Sequence, residues 1–284
     1  MYQVDGGDRR NDPAVVRRTE TDRICLQLCQ RLAALLDVDP ASLVEGQELP
    51  LAWTSILFPT VVVQSDLGRD GHANRGSFIP AGLSPRRVFA GRTLTRLGPL
   101  RIGDTVERSS AIAKVEHKQG RRGPFELVTL RHEVSSPAGP GYEEIQKIIY
   151  HDGVVAGGQA EGSDAGIAPS CWSREIRIDE TMLFRYSALT FNSHRIHYDL
   201  PYATAVEGYP GLVVNGGLTA LLLAQFSREV LSAPALEYEM RAVGPLYAGQ
   251  NISLRGRSTV EGGEFDAFAE HGGLAFSVRV KVAG

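Results

Sequence analysis

From Arg86 to His151 polar and apolar residues alternate in long runs, RRVFAGRTLTR, DTVERSSAIAKVEHK, FELVTLRHEVSS and YEEIQKIIYH. Successive side chains of a strand point to opposite faces, so these runs predict half-buried β-strands. Turn signals at Gly98-Pro99, Gly103-Asp104 and residues 120–124 separate them and predict an antiparallel meander. The later part of the chain repeats the pattern. A strand is predicted over Arg174 to Ile178, and four more over Leu236 to Val243, Asn251 to Val260, Glu264 to Glu270 and Ala275 to Val282. Three segments show helical spacing instead. Cys25, Leu28, Leu32 and Leu35 predict an amphipathic helix over Thr21 to Val38, with Thr21 or Asp22 as its N-cap and Asp39-Pro40 as its stop. Glu180 to Leu189 predicts a short helix. In Gly217 to Leu231 the apolar band of Leu218, Leu221, Leu222, Phe226 and Val230 is so wide that the helix must be largely enclosed.

Asp152 to Ser170 carries five glycines and almost no large apolar residue, which predicts a linker. Arg96-Leu97-Gly98-Pro99-Leu100-x-x-Gly103 matches Ala242-Val243-Gly244-Pro245-Leu246-x-x-Gly249, 146 residues later and again between two strands. That spacing predicts a duplicated unit. The expected organisation is a first domain over 1–151, a linker over 152–170 and a second domain over 171–284. The first copy has no equal of the Leu-rich helix, since its nearest candidate, Ser55 to Val63, is interrupted by Pro59. It is the degenerate copy.

The 284 residues suffice for two domains, each with its own core. A net charge of -3 leaves no overall positive field for nucleic acid or an anionic membrane. Three cysteines, Cys25, Cys29 and Cys171, lack zinc-type pairing and suit a reducing compartment. The acidic, polar N-terminus predicts neither a signal peptide nor an organelle presequence, so a cytoplasmic protein is expected. Gly208 to Ser227 is uncharged over the length of a membrane span, but Pro210, Asn215, Gln225 and four glycines predict a buried helix entered through a glycine-rich turn.

The loop Phe191-Asn192-Ser193-His194-Arg195-Ile196-His197-Tyr198-Asp199 concentrates imidazole, amide, guanidinium and carboxylate groups just ahead of that helix. Imidazole both takes and returns protons near neutrality, so His197 or His194 suits addition or removal of water beside a carbonyl. His194, His197 and Asp199 also have donors for a metal, but no fourth ligand accompanies them, and no metal is expected. Gly216 and Gly217 open the helix, where free N–H groups can stabilise an oxyanion. Arg86, Arg87, Arg185 and Arg195 offer guanidinium forks for a phosphate or a carboxylate of a substrate.

Tyr186 to Asp199, with Tyr202-Ala203, Gly211-Leu212-Val213-Val214 and Gly216, resembles the signature of MaoC-like enoyl-CoA hydratases, which have the hot dog fold. Asn-x-His-Arg-Ile-His-Tyr-Asp, together with Trp53, Asp70-Gly71-His72, Pro85-Arg86-Arg87, Ala90-Gly91 and Gln146-x-Ile148-x-Tyr150, is similar to the hydroxyacyl-thioester dehydratase branch that includes mesaconyl-C4-CoA and itaconyl-CoA hydratases. The resemblance covers residues 20 to 284. It implies an α+β double hot dog, two curved antiparallel sheets each packed on a helix, in a homodimer. It further implies reversible hydration of a 2-enoyl-CoA without a cofactor, with a branched C5 dicarboxylic acyl group. In the wider family an Asp and a His five positions later hold the catalytic water. His197 matches the His, Asn192 stands at the Asp position, Asn215 stands where relatives often carry His, and Gly216 matches the oxyanion donor. An amide takes up no proton at neutral pH, so Asn192 orients water while His197 carries the proton transfers, alone or with His194 or Asp199. A hot dog thioesterase and a non-catalytic acyl-thioester binding protein are the rival readings.

Overall fold

The structure, a computed structural model, describes residues 17–76, 78–120, 123–152 and 171–283. The first part contributes β1 (Arg17–Arg23), α1 (Leu26–Leu35), β2 (Arg86–Arg96), β3 (Thr105–Gly120), β4 (Gly123–Ser136) and β5 (Gly139–His151). The second contributes β6 (Trp172–Arg177), α2 (Glu180–Leu189), α3 (Gly216–Val230), β7 (Ala235–Ala242), β8 (Asn251–Thr259), β9 (Gly262–Phe268) and β10 (Leu274–Val282). All ten strands form one antiparallel sheet in the order β1-β3-β4-β5-β2-β7-β10-β9-β8-β6. Read from either outer edge inward, each half gives first, third, fourth, fifth, second strand. The two expected sheets are thus joined through β2 and β7, which pair from Gly91 opposite Arg241 to Thr95 opposite Glu237. Gly91 has a φ of +151° and a Cβ there would lie 2.2 Å from the Met240 carbonyl oxygen, so only glycine lets the strands close at this point.

The N-terminal helix begins later than its spacing predicts. Thr21 and Asp22 are residues of β1, opposite Glu107 and Val106 on β3, and the helix takes Cys25 as N-cap with no side-chain hydrogen bond. Neither Thr21 nor Asp22 caps it. Asp22 instead accepts from the Phe58 backbone N–H at 2.6 Å. β1 reads RRTETDR and lies at the sheet edge, so no apolar alternation announces it. Of the expected linker, residues 153–170 lie outside the described residues.

Helix α3 packs against β7, β9 and β10, with Leu218, Leu221, Leu223 and Phe226 buried along it. The ring of Phe226 meets Phe265 on β9 at 5.8 Å, edge to face. Burial of such side chains stabilises by about 1.5–3 kcal/mol each, which makes α3 the main apolar filling of the second half. No helix among the described residues is long and apolar enough to cross a membrane. In the first half a six-residue 3-10 turn, Leu51–Ile56, precedes β2, buries Trp53 and Ile56, and packs against α3. Much of the concave face of β2 to β5 is left without a helix.

Candidate active site

α2 starts with Asp179 as N-cap, whose carboxylate accepts from the Met182 N–H at 2.8 Å. It ends at Thr190, and Phe191 then takes a left-handed φ of +52°. A non-glycine residue there is strained, and the strain turns the chain sharply into the polar loop. Within the loop the Asn192 side-chain oxygen accepts from the His194 N–H at 3.0 Å, and the Asn192 N–H donates to the Ser187 carbonyl at 2.8 Å. The loop is clamped by a segment of the first half. Ser193 Oγ donates to the Gly71 carbonyl at 2.5 Å, and the Arg195 N–H donates to the Asp70 carbonyl at 2.9 Å. A Cβ on Gly71 would sit 1.9 Å from the Ser193 carbonyl oxygen, so the approach requires glycine.

This clamp brings Asp70 and His72 to the site. The His72 ring Nδ1 lies 2.9 Å from an Asp70 carboxylate oxygen, and the His72 backbone N–H donates to the other at 3.0 Å. The His72 ring is 4.1 Å from that of His194, which in turn meets His197 edge-on at 5.3 Å. Asp70, His72 and His194 place ligand atoms within 4.8 Å of one another, the one group among the described residues that could hold a metal ion. His72 Nδ1 and one Asp70 oxygen already meet each other at 2.9 Å. The earlier metal candidates do not converge: His197 Nδ1 and Asp199 have protein partners.

His197 is buried, and its Nδ1 is 2.7 Å from the Val213 carbonyl. A carbonyl only accepts, so Nδ1 carries the proton and Nε2 of the neutral ring is the basic nitrogen. Burial pushes the His197 imidazole down to about 4 and so keeps it neutral at pH 7. Burial also lowers His194, as do the neighbouring imidazoles of His72 and His197, and burial lowers His72 despite its Asp70 partner. Burial alone would raise the Asp70 carboxyl, but hydrogen bonds from His72 hold it well below the usual carboxylate range.

His197 faces a cavity of about 710 Å³ together with Asn192, His194, Asn215, Gly216 and Phe89. Asn215 caps α3 at 2% exposure, and neither of its side-chain polar atoms has a hydrogen-bond partner. A buried amide with both ends unpaired costs free energy unless something polar enters beside it. The chain approaches closely on both sides of the helix start: a Cβ on Gly216 would meet the Phe89 ring at 3.1 Å, and one on Gly217 would meet the Tyr186 hydroxyl at 2.3 Å. A second cavity of about 670 Å³ lies on the first-half side, and His72, His194, Arg87, Gln146 and Ile148 line both.

Arg87 lines both cavities and Arg86 lines the second, where its guanidinium lies 3.4 Å from Glu207. Arg195 lines neither. Its guanidinium bonds Asp199 at 2.7 and 3.0 Å and the Arg69 carbonyl at 3.0 Å, and it stacks 4.1 Å over the Tyr202 ring. Asp199 also accepts from the Tyr202 N–H at 3.0 Å, so this pair fixes the loop. The site residues that the sequence reading did not select, Asp70, His72 and Tyr186, are separated from the loop in sequence or belong to a helix that reads as ordinary. In the sequence both Asp70-Gly71-His72 and Tyr186 stand out only through the family resemblance.

The family model for hydroxyacyl-thioester dehydratase type 2 matches residues 52–248. The chain is 36% identical over 273 residues to the mesaconyl-C(4)-CoA hydratase of Chloroflexus aurantiacus, covering 95% of this chain and 98% of that one. Its fold is similar to the crystal structure of HtdX from Mycobacterium tuberculosis, with a TM-score of 0.65 at 18% identity over 93% of this chain and 99% of that one. It is also similar to a Mycobacterium tuberculosis protein described as having a double hot dog fold, with a TM-score of 0.55 at 14% identity over 93% and 95% of the two chains. The sheet is therefore an α+β double hot dog with a degenerate first copy, and the chain belongs to the hydroxyacyl-thioester dehydratase type 2 family and is a hydro-lyase.

Proposed function

We propose that the protein catalyses reversible hydration of a 2-enoyl-CoA, with a branched C5 dicarboxylic acyl group of the mesaconyl-C4-CoA or itaconyl-CoA type. The observation that carries the reading is the juxtaposition of a neutral His197, its basic Nε2 set by the Nδ1 contact with Val213, and the open start of α3 beside the unpaired Asn215 amide. The name of the Chloroflexus relative supports the acyl group.

In this mechanism the thioester oxygen accepts from the Gly216 N–H, which makes the β-carbon electrophilic. His197 Nε2 takes a proton from water as the oxygen adds to that carbon. The enolate that results is stabilised by the same N–H and is reprotonated at the α-carbon by the imidazolium, so His197 returns to its neutral form. Asn192 and His194 hold the water, and Asn215 holds the thioester. The Asp70–His72 pair, carried in by the first half, supplies the carboxylate that the Asn192 position lacks. Arg195 acts as a positioning residue through Asp199 and the Arg69 carbonyl. Arg86 and Arg87 meet the CoA phosphates or the substrate carboxylate, and the first half closes the acyl tunnel. The homodimer implied by the resemblance belongs to this reading, and sedimentation at twice 30.8 kDa is its check.

Incubation with an enoyl-CoA should remove the enoyl absorbance without releasing free thiol, and His197→Ala should lower kcat by about 10²- to 10⁴-fold in a protein that remains folded. Thiol release would instead show a thioesterase. Acyl-CoA binding without turnover would show a binding protein.

A further inference from the structure

The two cavities differ sharply in charge. Among the described residues lining the cavity at His197 and Gly216, Arg87 is the one charged side chain apart from histidine. Among the described residues, the cavity on the first-half side is lined by seven arginines and four carboxylates. With neutral histidines these described lining residues carry an excess of three positive charges.

At its inner end lie two guanidinium groups with unused donors. Arg92, on β2, has a side chain only 9% exposed; its Nη1 is 3.6 Å from Glu144, while Nη2 is buried with no partner. Arg108, on β3, pairs with Glu20 at 2.5 Å and stacks 4.6 Å over the Phe58 ring, yet its Nε is buried and unpaired. Between them the sheet register sets Ser110, His132 and Glu144 side by side on β3, β4 and β5, and Ser110 Oγ lies 2.7 Å from His132 Nδ1. A buried guanidinium donor without an acceptor is costly, and a carboxylate oxygen is the acceptor that matches it best.

β2 connects this cluster to the reacting end. Phe89 lies against Gly216, and the extra residue Ala90 forms a bulge that returns Arg92 to the same face as Phe89, opposite Gln146. Phe89 lies opposite Ile148 and Arg92 opposite Gln146, two residues apart on β5, so the strand rise places Arg92 about 7 Å beyond Phe89. A short acyl chain with a charge at its far end, and the reach of an arginine side chain, together span that interval. At the Arg92 end, where the guanidinium is only 9% exposed, a carboxylate is small enough to enter and the bulky nucleotide of CoA is not.

Resting on the hydratase reading above, we propose that the arginine-lined cavity holds the distal carboxylate of the acyl group, with Arg92 and Arg108 as its cationic partners and Ser110 and His132 as neutral ones. Arg92 and Arg108 then select dicarboxylic over monocarboxylic acyl groups, and the missing helix of the first half is what makes room for them.

Two measurements test this. In the first, kcat/KM is determined for mesaconyl-C4-CoA and for crotonyl-CoA with the wild-type protein, Arg92→Met and Arg108→Met. The ratio of the two values should fall about 10- to 150-fold in either variant, the loss of one charge-assisted contact. An unchanged ratio overturns the proposal; equal losses on both substrates would place the arginine on the CoA or in the structure alone. The second needs no variant and no turnover: the wild-type chain should bind succinyl-CoA at least about tenfold more tightly than butyryl-CoA, and equal or weaker binding overturns the site. The two failures are distinguishable. No turnover with tighter succinyl-CoA binding removes the hydratase reading and keeps the carboxylate site, whereas turnover with equal binding removes the site alone.

Discussion

On the concave face of the sheet, a row of the first half, Leu94, Glu144, His132 and Ser110, runs across β2, β5, β4 and β3. The row at the same place in the second half is Met240, Val278, Phe265 and Gly256, across β7, β10, β9 and β8. Leu94 and Ser110 each precede their counterparts by 146 residues, the interval of the Gly-Pro-Leu repeat. The strand order is the same and the chemistry is opposite. In the second half apolar rows receive an apolar helix, and the glycine start of that helix lines the cavity at His197. In the first half that polar row faces a cavity, and in place of a helix the 3-10 turn Leu51–Ile56 and the segment with Phe78, Ile79 and Leu83, packed on Val128, Leu130, Ile148 and Tyr150, cover only part of the face. A shared topology thus yields a packed core in one copy and open volume in the other, because strand order is set by backbone pairing while the concave face is set by side chains that pairing leaves free.

The largest test of this contrast is a matched pair of truncations. Leu221, fully buried on α3, should cost about 2–5 kcal/mol on Leu221→Ala, because its neighbours cannot collapse into the void. Leu130, buried on β4 but bordering the first-half cavity, should cost about half as much on Leu130→Ala, since the cavity already denies it a full set of packing partners. Urea titration of both variants measures the difference, and equal losses would mean that the first half is packed as tightly as the second.

Most of the fold was legible because its signals are periodic. The strands from Asn251 onward, α2 and α3 fall within two residues of their predicted positions, and the strand runs from Arg86 onward are likewise where alternation placed them. β1 was not legible, as an edge strand of charged residues carries no apolar alternation. The loop 191–199 and Gly216 could be read as a site from chemical density alone. Asp70, His72, Arg92 and His132 could not, since each acquires meaning only when the sheet closes: Arg92 and His132 sit in strands whose polar residues read as solvent-facing, and the structure turns them inward over a cavity. Joining the two sheets through β2 and β7 was equally invisible, because pairing between separate units leaves no local pattern.

Acid should expose the asymmetry by a second route. The His197 imidazole is lowered by burial to about 4 from an unfolded value near 6.5, so the unfolded chain binds the proton first. Its stabilising contribution is complete above pH 6.5 and is lost as pH falls toward 4, in total about 3 kcal/mol. His132 in the first half is lowered in the same direction, also chiefly by burial, and adds to the same slope. Unfolding free energy measured from pH 7 to 5 should therefore fall steeply. His197→Phe and His132→Phe, the latter importing the residue of its counterpart Phe265, should each flatten the curve, His197→Phe the more. A wild-type curve without slope in this window would show that neither imidazole is buried in its neutral form.

The smallest expected effect concerns the carboxylate that the proposed mechanism draws from Asp70 rather than from position 192. Asn192 keeps the loop geometry through its side-chain oxygen on the His194 N–H, and Asp70 keeps its own turn through an oxygen on the His72 N–H. Exchange of amide for carboxylate at either place preserves the accepting oxygen, so the pair Asp70→Asn and Asn192→Asp changes charge with little change of shape. Asp70 already stands beside His72, and His72 beside His194, so the imidazole cluster has its anion from the first half. Removing it should lower kcat by about 10- to 100-fold, whereas adding a second carboxylate at Asn192 should change kcat by less than about tenfold, near 1.4 kcal/mol. If Asn192→Asp also rescues Asp70→Asn, the anion matters and its place does not, and the first half then contributes a charge that the second could carry alone. If the double variant is as slow as Asp70→Asn, the carboxylate acts through His72 specifically, and the catalytic site belongs to both halves.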